Sequence, residues 1–291
     1  MQEFEYVAPT NLEDAIRLMA EKGPRAKALA GGTDVLVQLR GGRFQIDRLV
    51  DIKKIPELNE LSCSDTDGLT LGAAVQCHRV YEDQTIQKLY PGLVDSASLI
   101  GGIQIQGRAT VGGNLCNAAP SGDNIPSLIV QEAVAIVAGP NGRRNIPVEE
   151  FCSGPGQNVL QEGELLVAVH IPPPKPHSGA HFLRFIPRNE MDISIVNSAV
   201  SVLLDDSGQN IVSGRIAIGS VGPTPIFARD ASNLLAGKEA NEASIEEAAE
   251  ATKKVASPIN DMRGTIDQRI HLVGVLTKRA LRTAISRARE G

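Results

Sequence analysis

The chain has 291 residues, a net charge of −5 and an apolar fraction of 42%, ordinary values for a globular protein long enough to bury a core without disulfides or metals. The acidic balance argues against a general nucleic-acid binder, and no run approaches the roughly 18 apolar residues of a membrane helix. The acidic opening Met1-Gln2-Glu3-Phe4-Glu5 lacks the basic and apolar regions of a signal peptide, so a cytoplasmic protein is expected.

In chain order, residues 4–8 read as a short strand closed by Pro9. Thr10 and Glu13 have capping-box spacing and open an amphipathic helix with Leu12, Ile16, Leu18 and Met19 on one face. A strand over 27–30 enters Gly31-Gly32, a brief helix over 34–39 ends at Gly41-Gly42, and a strand follows over 48–52. This makes a small α/β lobe, residues 1–55. Residues 57–75 alternate like two strands around Asp67-Gly68. Residues 77–100 read as helix broken at Pro91-Gly92, and 101–126 as a long irregular stretch, a pattern that is usually functional. Apolar strands resume over 133–138 and 164–171.

Pro172-Pro173-Pro174-Lys175-Pro176 favours an extended linker and marks a domain boundary. Residues 1–176 form one domain, with a larger α+β lobe over 56–176, and 177–291 form a second. In the second, 180–187, 194–204 and 211–220 read as three antiparallel strands, with a hairpin turn at Asp205-Asp206-Ser207-Gly208. Helices follow over 226–236, over 243–256 with a Ser244/Glu247 capping box, and over 266–289.

Several catalytic engines are missing. There is no P-loop, no G-x-G-x-x-G fingerprint and no G-x-S-x-G elbow. Cys63, Cys77, Cys116 and Cys152 are far apart and the histidines form no H-x-x-x-H pair, so no protein-built metal site is expected. Aromatics are only 3% and Trp is absent, which argues against a site of stacked rings.

Two segments carry chemistry. Leu29-Ala30-Gly31-Gly32-Thr33-Asp34 runs from a strand through glycines into a helix start. Successive amides there can form an anion-binding nest, or the segment is a plain turn with Asp34 as N-cap. Thr110-Val111-Gly112-Gly113-Asn114-Leu115-Cys116-Asn117, followed by Ser121-Gly122-Asp123-Asn124, offers bare backbone with hydroxyl, amide and carboxylate groups. Two such segments suggest one extended polar cofactor held between two lobes.

Ala-Gly-Gly-Thr-Asp at 30–34, Ala-Thr-Val-Gly-Gly-Asn at 109–114 and the aspartate at 123 resemble the FAD-binding medium subunit of molybdenum hydroxylases. The likeness extends to Phe4-Glu5-Tyr6-Val7-Ala8-Pro9, Val50-Asp51-Ile52-Lys53 and the run from Arg188 to Ser194. The resemblance implies an α+β fold: a two-lobed vanillyl-alcohol-oxidase-type (PCMH-type) FAD-binding domain, then a C-terminal domain of a three-stranded antiparallel sheet with helices. It implies that the FAD pyrophosphate lies on residues 30–34, flanked by Leu29 and Val35. It assigns Thr110, Gly113, Asn114 and Asn117 to the second loop, Asp123 to the cofactor's sugar-like hydroxyls and Leu166 to the adenine. Arg184 falls where the family often has lysine near the flavin, and Ile193 where a side chain covers the isoalloxazine.

Function follows from the same resemblance. The flavin performs the redox step, and no residue of this chain is assigned a catalytic role. Electrons would come from [2Fe–2S] clusters of a small partner subunit, fed by a molybdopterin-binding large subunit, and leave to an external acceptor. A dimer of heterotrimers is expected. Two other readings stand beside this one: a stand-alone FAD oxidoreductase of similar fold, and a non-catalytic scaffold that keeps the fold. The absence of an acid–base cluster favours the relay subunit, and the intact glycine loops with Asp123 disfavour the scaffold.

Overall fold

The computed structural model describes residues 2–290. Strands Glu5–Val7, Arg48–Asp51 and Ala26–Leu29 pair in parallel, in that spatial order, with Val7 opposite Val50 and Leu29 opposite Asp51. Parallel neighbours need crossover connections, and helices Leu12–Lys22 and Val35–Arg40 lie within the connecting segments. The first helix buries Leu12 and Ala15 against Val50 and Ile52. Its N-cap is Asn11, whose side chain accepts from the Asp14 amide at 2.8 Å, and not the expected Thr10. The capping-box spacing misleads here because asparagine competes for the same role one residue later.

The larger lobe holds a five-stranded antiparallel sheet. Its strands are Leu61–Ser64, Gly68–Gly72, Leu165–Ile171, Val134–Gly139 and Gly142–Pro147, in spatial order. Short helices Cys77–Glu82, Gln84–Leu89 and Pro91–Ala97 follow the second strand. The stretch 101–126 is not irregular. It contains helices Ile103–Gln106 and Val111–Asn117 and the start of Asn124–Val130. These are one or two turns long, too short to show a helical period, and Val111–Asn117 carries two glycines besides. The whole of Asn124–Val130 is buried, so it has no polar face to reveal it.

The C-terminal sheet contains the three expected strands, as Ser178–Phe185, Val196–Leu204 and Ile211–Gly219. A two-residue strand, Ile226–Phe227, extends it where the helix over 226–236 was expected to begin; that helix is confined to Arg229–Asn233. The Phe227 ring lies under the Arg215 and Arg229 guanidinium groups, at 4.1 and 4.8 Å, which holds the segment on the sheet edge. Helix Glu242–Lys253 is capped by Asn241, not Ser244, and Ile266–Glu290 closes the described chain.

This sheet is packed on both faces. Phe182, Ala199 and Ala217 stand opposite one another and share one core with Leu93, Leu128 and Phe151 of the larger lobe. Val200, Val202 and Ile216 point the other way, onto Leu281 and Ala284 of the long helix. The buried helix Asn124–Val130 ends against the same sheet: Arg215 donates to the Ile129 carbonyl at 3.0 Å and Ser201 to that of Val130 at 2.7 Å. Those side chains satisfy carbonyls that a helix end leaves open. The continuous core fixes the two halves rigidly, and that fixes whatever lies between them.

Candidate cofactor site

A cleft of about 710 Å³ lies between the small and large lobes. Ala30, Gly31, Gly32, Thr33, Asp34 and Val35 line it from the small lobe. Thr110, Gly113, Asn114, Asn117 and Leu166 line it from the large lobe. The two glycine segments, far apart in sequence, are in direct contact. A Cβ on Gly31 would stand 2.1 Å from the Arg108 carbonyl oxygen, so only glycine fits. Gly32 has a φ of +82°, a conformation that other residues rarely adopt.

Among the described residues, the amides of Gly31, Gly32, Thr33 and Asp34 have no hydrogen-bond acceptor. Four successive free amides beside a helix start suit an anionic group. Asp34 does not cap that helix with its side chain. Its carboxyl is surface-exposed at the cleft, yet the protein wall around it limits hydration enough to push its pKa up.

Several polar side chains expected to meet a ligand are already engaged. Thr110 Oγ1 accepts from the Gly113 amide at 2.8 Å and caps its helix. Asn114 Oδ1 accepts from the Asn124 amide at 3.2 Å, and Asn117 Oδ1 from Gln38 Nε2 at 3.1 Å. Leu29 turns its side chain into the small-lobe core, with Leu39, Ile46 and Leu49.

Asp123 and Arg184 lie outside the cleft lining but are brought together. Arg184 Nη1 donates to Asp123 Oδ2 across the junction with the C-terminal sheet, with both side chains nearly inaccessible. Burial pushes the Asp123 carboxyl up to about 6, although the Arg184 charge opposes it. Its Oδ1 is buried without a partner among the described residues. Ile193 is 50% exposed and does not line the cleft.

Several lining residues carry no signal in the sequence. Lys27, Arg43 and Phe44 lie at the small-lobe wall, with Lys27 Nζ 5.6 Å from the centre of the Phe44 ring. Residues 155–165 form much of the opposite wall. Their only signal is the turn glycines Gly156 and Gly163, both at positive φ.

Residues 2–174 match the family model of the FAD binding domain in molybdopterin dehydrogenase. Residues 181–284 match that of the CO dehydrogenase flavoprotein C-terminal domain. The chain belongs to the FAD-binding subunits of the molybdenum hydroxylases. Within that family it is 35% identical to a xanthine dehydrogenase FAD-binding subunit of Escherichia coli O157:H7, over 97% of this chain and 96% of the relative. It is 30% identical to a carbon monoxide dehydrogenase medium chain of Hydrogenophaga pseudoflava, over 98% of each. Among solved structures of the family, carbon monoxide dehydrogenase from Hydrogenophaga pseudoflava superposes with a TM-score of 0.94 at 30% identity, over 98% of each chain. Quinoline 2-oxidoreductase from Pseudomonas putida 86 gives 0.90 at 29% identity, over 99% and 98%. The expected family and α+β fold are those found.

Proposed function

We propose that this chain binds FAD in the cleft with the pyrophosphate on the amides of residues 31–34 and relays electrons from a [2Fe–2S] partner to an external acceptor. The four unpaired amides carry this reading. The lining suits the cofactor: bare backbone for phosphate oxygens and apolar Leu166 at one wall. FAD, when bound, supplies the redox chemistry; the protein binds, orients and sets the local field. Gly31, Gly32 and Gly113 admit close approach. Thr110 and Asn114 act by holding their loop in shape, since their side-chain oxygens are already used within it. Arg184, Asp123 and Ile193 are assigned to the flavin end by the family resemblance alone, since none of the three lines the cleft.

The division into 1–176 and 177–291 is part of the same proposal, as is a cytoplasmic location. No helix among the described residues is long and apolar enough to cross a membrane. Partners are a molybdopterin-binding large subunit and a [2Fe–2S] small subunit, assembled as a dimer of heterotrimers. Exposed Met191, packed beside Gly101 and Gly102, and exposed Ile103, which follows them in the chain, support a partner contact on that side. The test is direct. Acid precipitation of the purified full chain releases a yellow supernatant whose cofactor runs as FAD. A colourless chain that FAD cannot reconstitute overturns the reading, and a monomer that oxidises a small organic substrate alone supports a stand-alone oxidoreductase.

A further inference from the structure

One cation in the lining of the cleft has no partner within the protein. Lys27 and Arg43 are the basic residues of the lining, and Asp34, Glu162 and Glu164 the acidic ones. Glu164 is held by Arg144, and Lys27 Nζ stands over the Phe44 ring. Glu162 lies against the small lobe, its Oε2 3.4 Å from where a Cβ on Gly23 would be. Among the described residues the Arg43 side chain makes no ion pair, hydrogen bond or ring contact; only its backbone amide is engaged, donating to the Gln38 carbonyl at 3.0 Å.

The chain brings this arginine back to the cleft. Helix Val35–Arg40 starts beside the amides of residues 31–34 and ends, about 9 Å on, in a turn through Gly41 and Gly42. Gly42 has a φ of +68°, which a residue with a Cβ rarely adopts. Arg43 then crosses the cleft mouth. It belongs to the small lobe, yet its Nη2 lies 3.5 Å from where a Cβ on Gly156 of the opposite wall would be. Gly156 is itself fixed, donating its amide to the Ala118 carbonyl at 3.0 Å, at the end of helix Val111–Asn117. Long charged side chains ordinarily hold their heads out in water; this one lies against bare backbone across the cleft.

We propose that Arg43 is a cofactor-binding residue that pairs with the pyrophosphate of FAD and closes the cleft mouth over it. This rests on the reading that FAD binds with its pyrophosphate on the amides of residues 31–34. The pyrophosphate is the part of FAD that is charged at neutral pH, so a free cation in the same cleft has one group to answer. Backbone amides carry no net charge, whereas a guanidinium adds a full charge in a fork that matches phosphate oxygens. No pair within the protein has to be broken for Arg43 to take it.

The test compares the purified full chain with Arg43→Gln and Arg43→Lys. The readouts are the FAD dissociation constant at about 50 and about 300 mM sodium chloride, the rate of FAD release, and the Tm of the FAD-free chain. Arg43→Gln should keep the FAD-free Tm, because it breaks no bond within the protein. It should weaken FAD binding about tenfold at low salt, mostly through faster release, and flatten the salt dependence. Arg43→Lys should restore the salt dependence and most of the affinity. Wild-type affinity and salt dependence in Arg43→Gln overturn the proposal and leave Arg43 a solvated surface residue. A loss that Arg43→Lys does not relieve, with unchanged salt dependence, also overturns it, since Arg43 would then cover the mouth by shape alone. In both cases tight wild-type binding leaves the reading of the cleft standing. A wild-type chain that takes up no FAD overturns that reading and this proposal together.

Discussion

Gln38 Nε2 donates to Asn117 Oδ1 at 3.1 Å, joining the two helices that start at the two glycine segments. Together with the contact of Gly31 on the Arg108 carbonyl, it pins the cleft walls at two points. A cleft pinned in this way is shaped before its ligand arrives, so less ordering is left for binding to oppose.

Gln38→Ala removes one pin and leaves Asn117 Oδ1 without its donor. Loss of one such bond costs about 1 kcal/mol. FAD affinity is expected to fall about fivefold with little change in far-ultraviolet circular dichroism. Titration of FAD-free protein by calorimetry checks this; unchanged affinity would mean that the contact at Gly31 alone sets the cleft.

The glycines divide into two kinds. At Gly113 an added Cβ meets only Thr110 Oγ1, at 2.8 Å. Gly113→Val is therefore expected to abolish FAD retention while the fold persists. Gly32→Val should do the same with some strain, because its φ is +82°. Gly31→Val drives a side chain into backbone and should lower Tm markedly as well as lose FAD. The ratio of flavin to protein absorbance, beside thermal melts, distinguishes the classes. Normal flavin content in Gly32→Val and Gly113→Val would reduce both loops to turns.

Asp123 predicts a pH dependence. Its folded pKa, about 6, lies above the unfolded carboxylate value of about 3.9. The folded state therefore holds this proton more tightly, and the stabilisation is complete below about pH 4 and lost as pH rises through about 6. Urea unfolding of the FAD-free chain between pH 4 and 7 should show this loss, about 3 kcal/mol at most. Asp123→Asn should abolish it relative to wild type. Identical pH profiles in both proteins would show that Arg184 keeps the carboxyl ionised throughout.

Asp95 carries another charged link between the halves. Arg287 of the long helix grips it with two bonds, at 2.6 and 3.0 Å, and His181 Nδ1 shares the same carboxylate. Burial opposes ionisation of Asp95, but His181 and Arg287 outweigh it and hold its pKa low. Its contribution is then full above about pH 4 and lost as pH falls below. Asp95→Ala strands two partly buried partners and should cost about 2–3 kcal/mol at pH 7. Chemical denaturation of single and double variants with Arg287→Ala measures the coupling, and additive losses would refute it.

Much was legible in the sequence because local physics writes it there. Val196–Leu204 and Ile211–Gly219 are long, β-rich and separated by a turn with strong local preferences, so their strands were evident. Val111–Asn117 and Asn124–Val130 were hidden. Two turns of helix, glycine-rich or buried all round, have no amphipathic period to read. Thr10 and Asn11 can both accept the first free amides, and only backbone geometry makes Asn11 the cap.

At the site, the sequence by itself determined the ingredients. Gly31, Gly32, Gly112 and Gly113 define places where backbone must be bare, and the ordered set with Asp123 pointed to a family. Only the tertiary structure decided which atoms remain free to bind. Thr110, Asn114 and Asn117 turn their side-chain oxygens to protein donors, Leu29 turns into the core, and the backbone amides at 31–34 are left without acceptors. Asp123 and Arg184 meet because one shared core brings distant segments together. Hydrogen-bond partners and burial depend on long-range packing, which residue spacing along a chain does not encode.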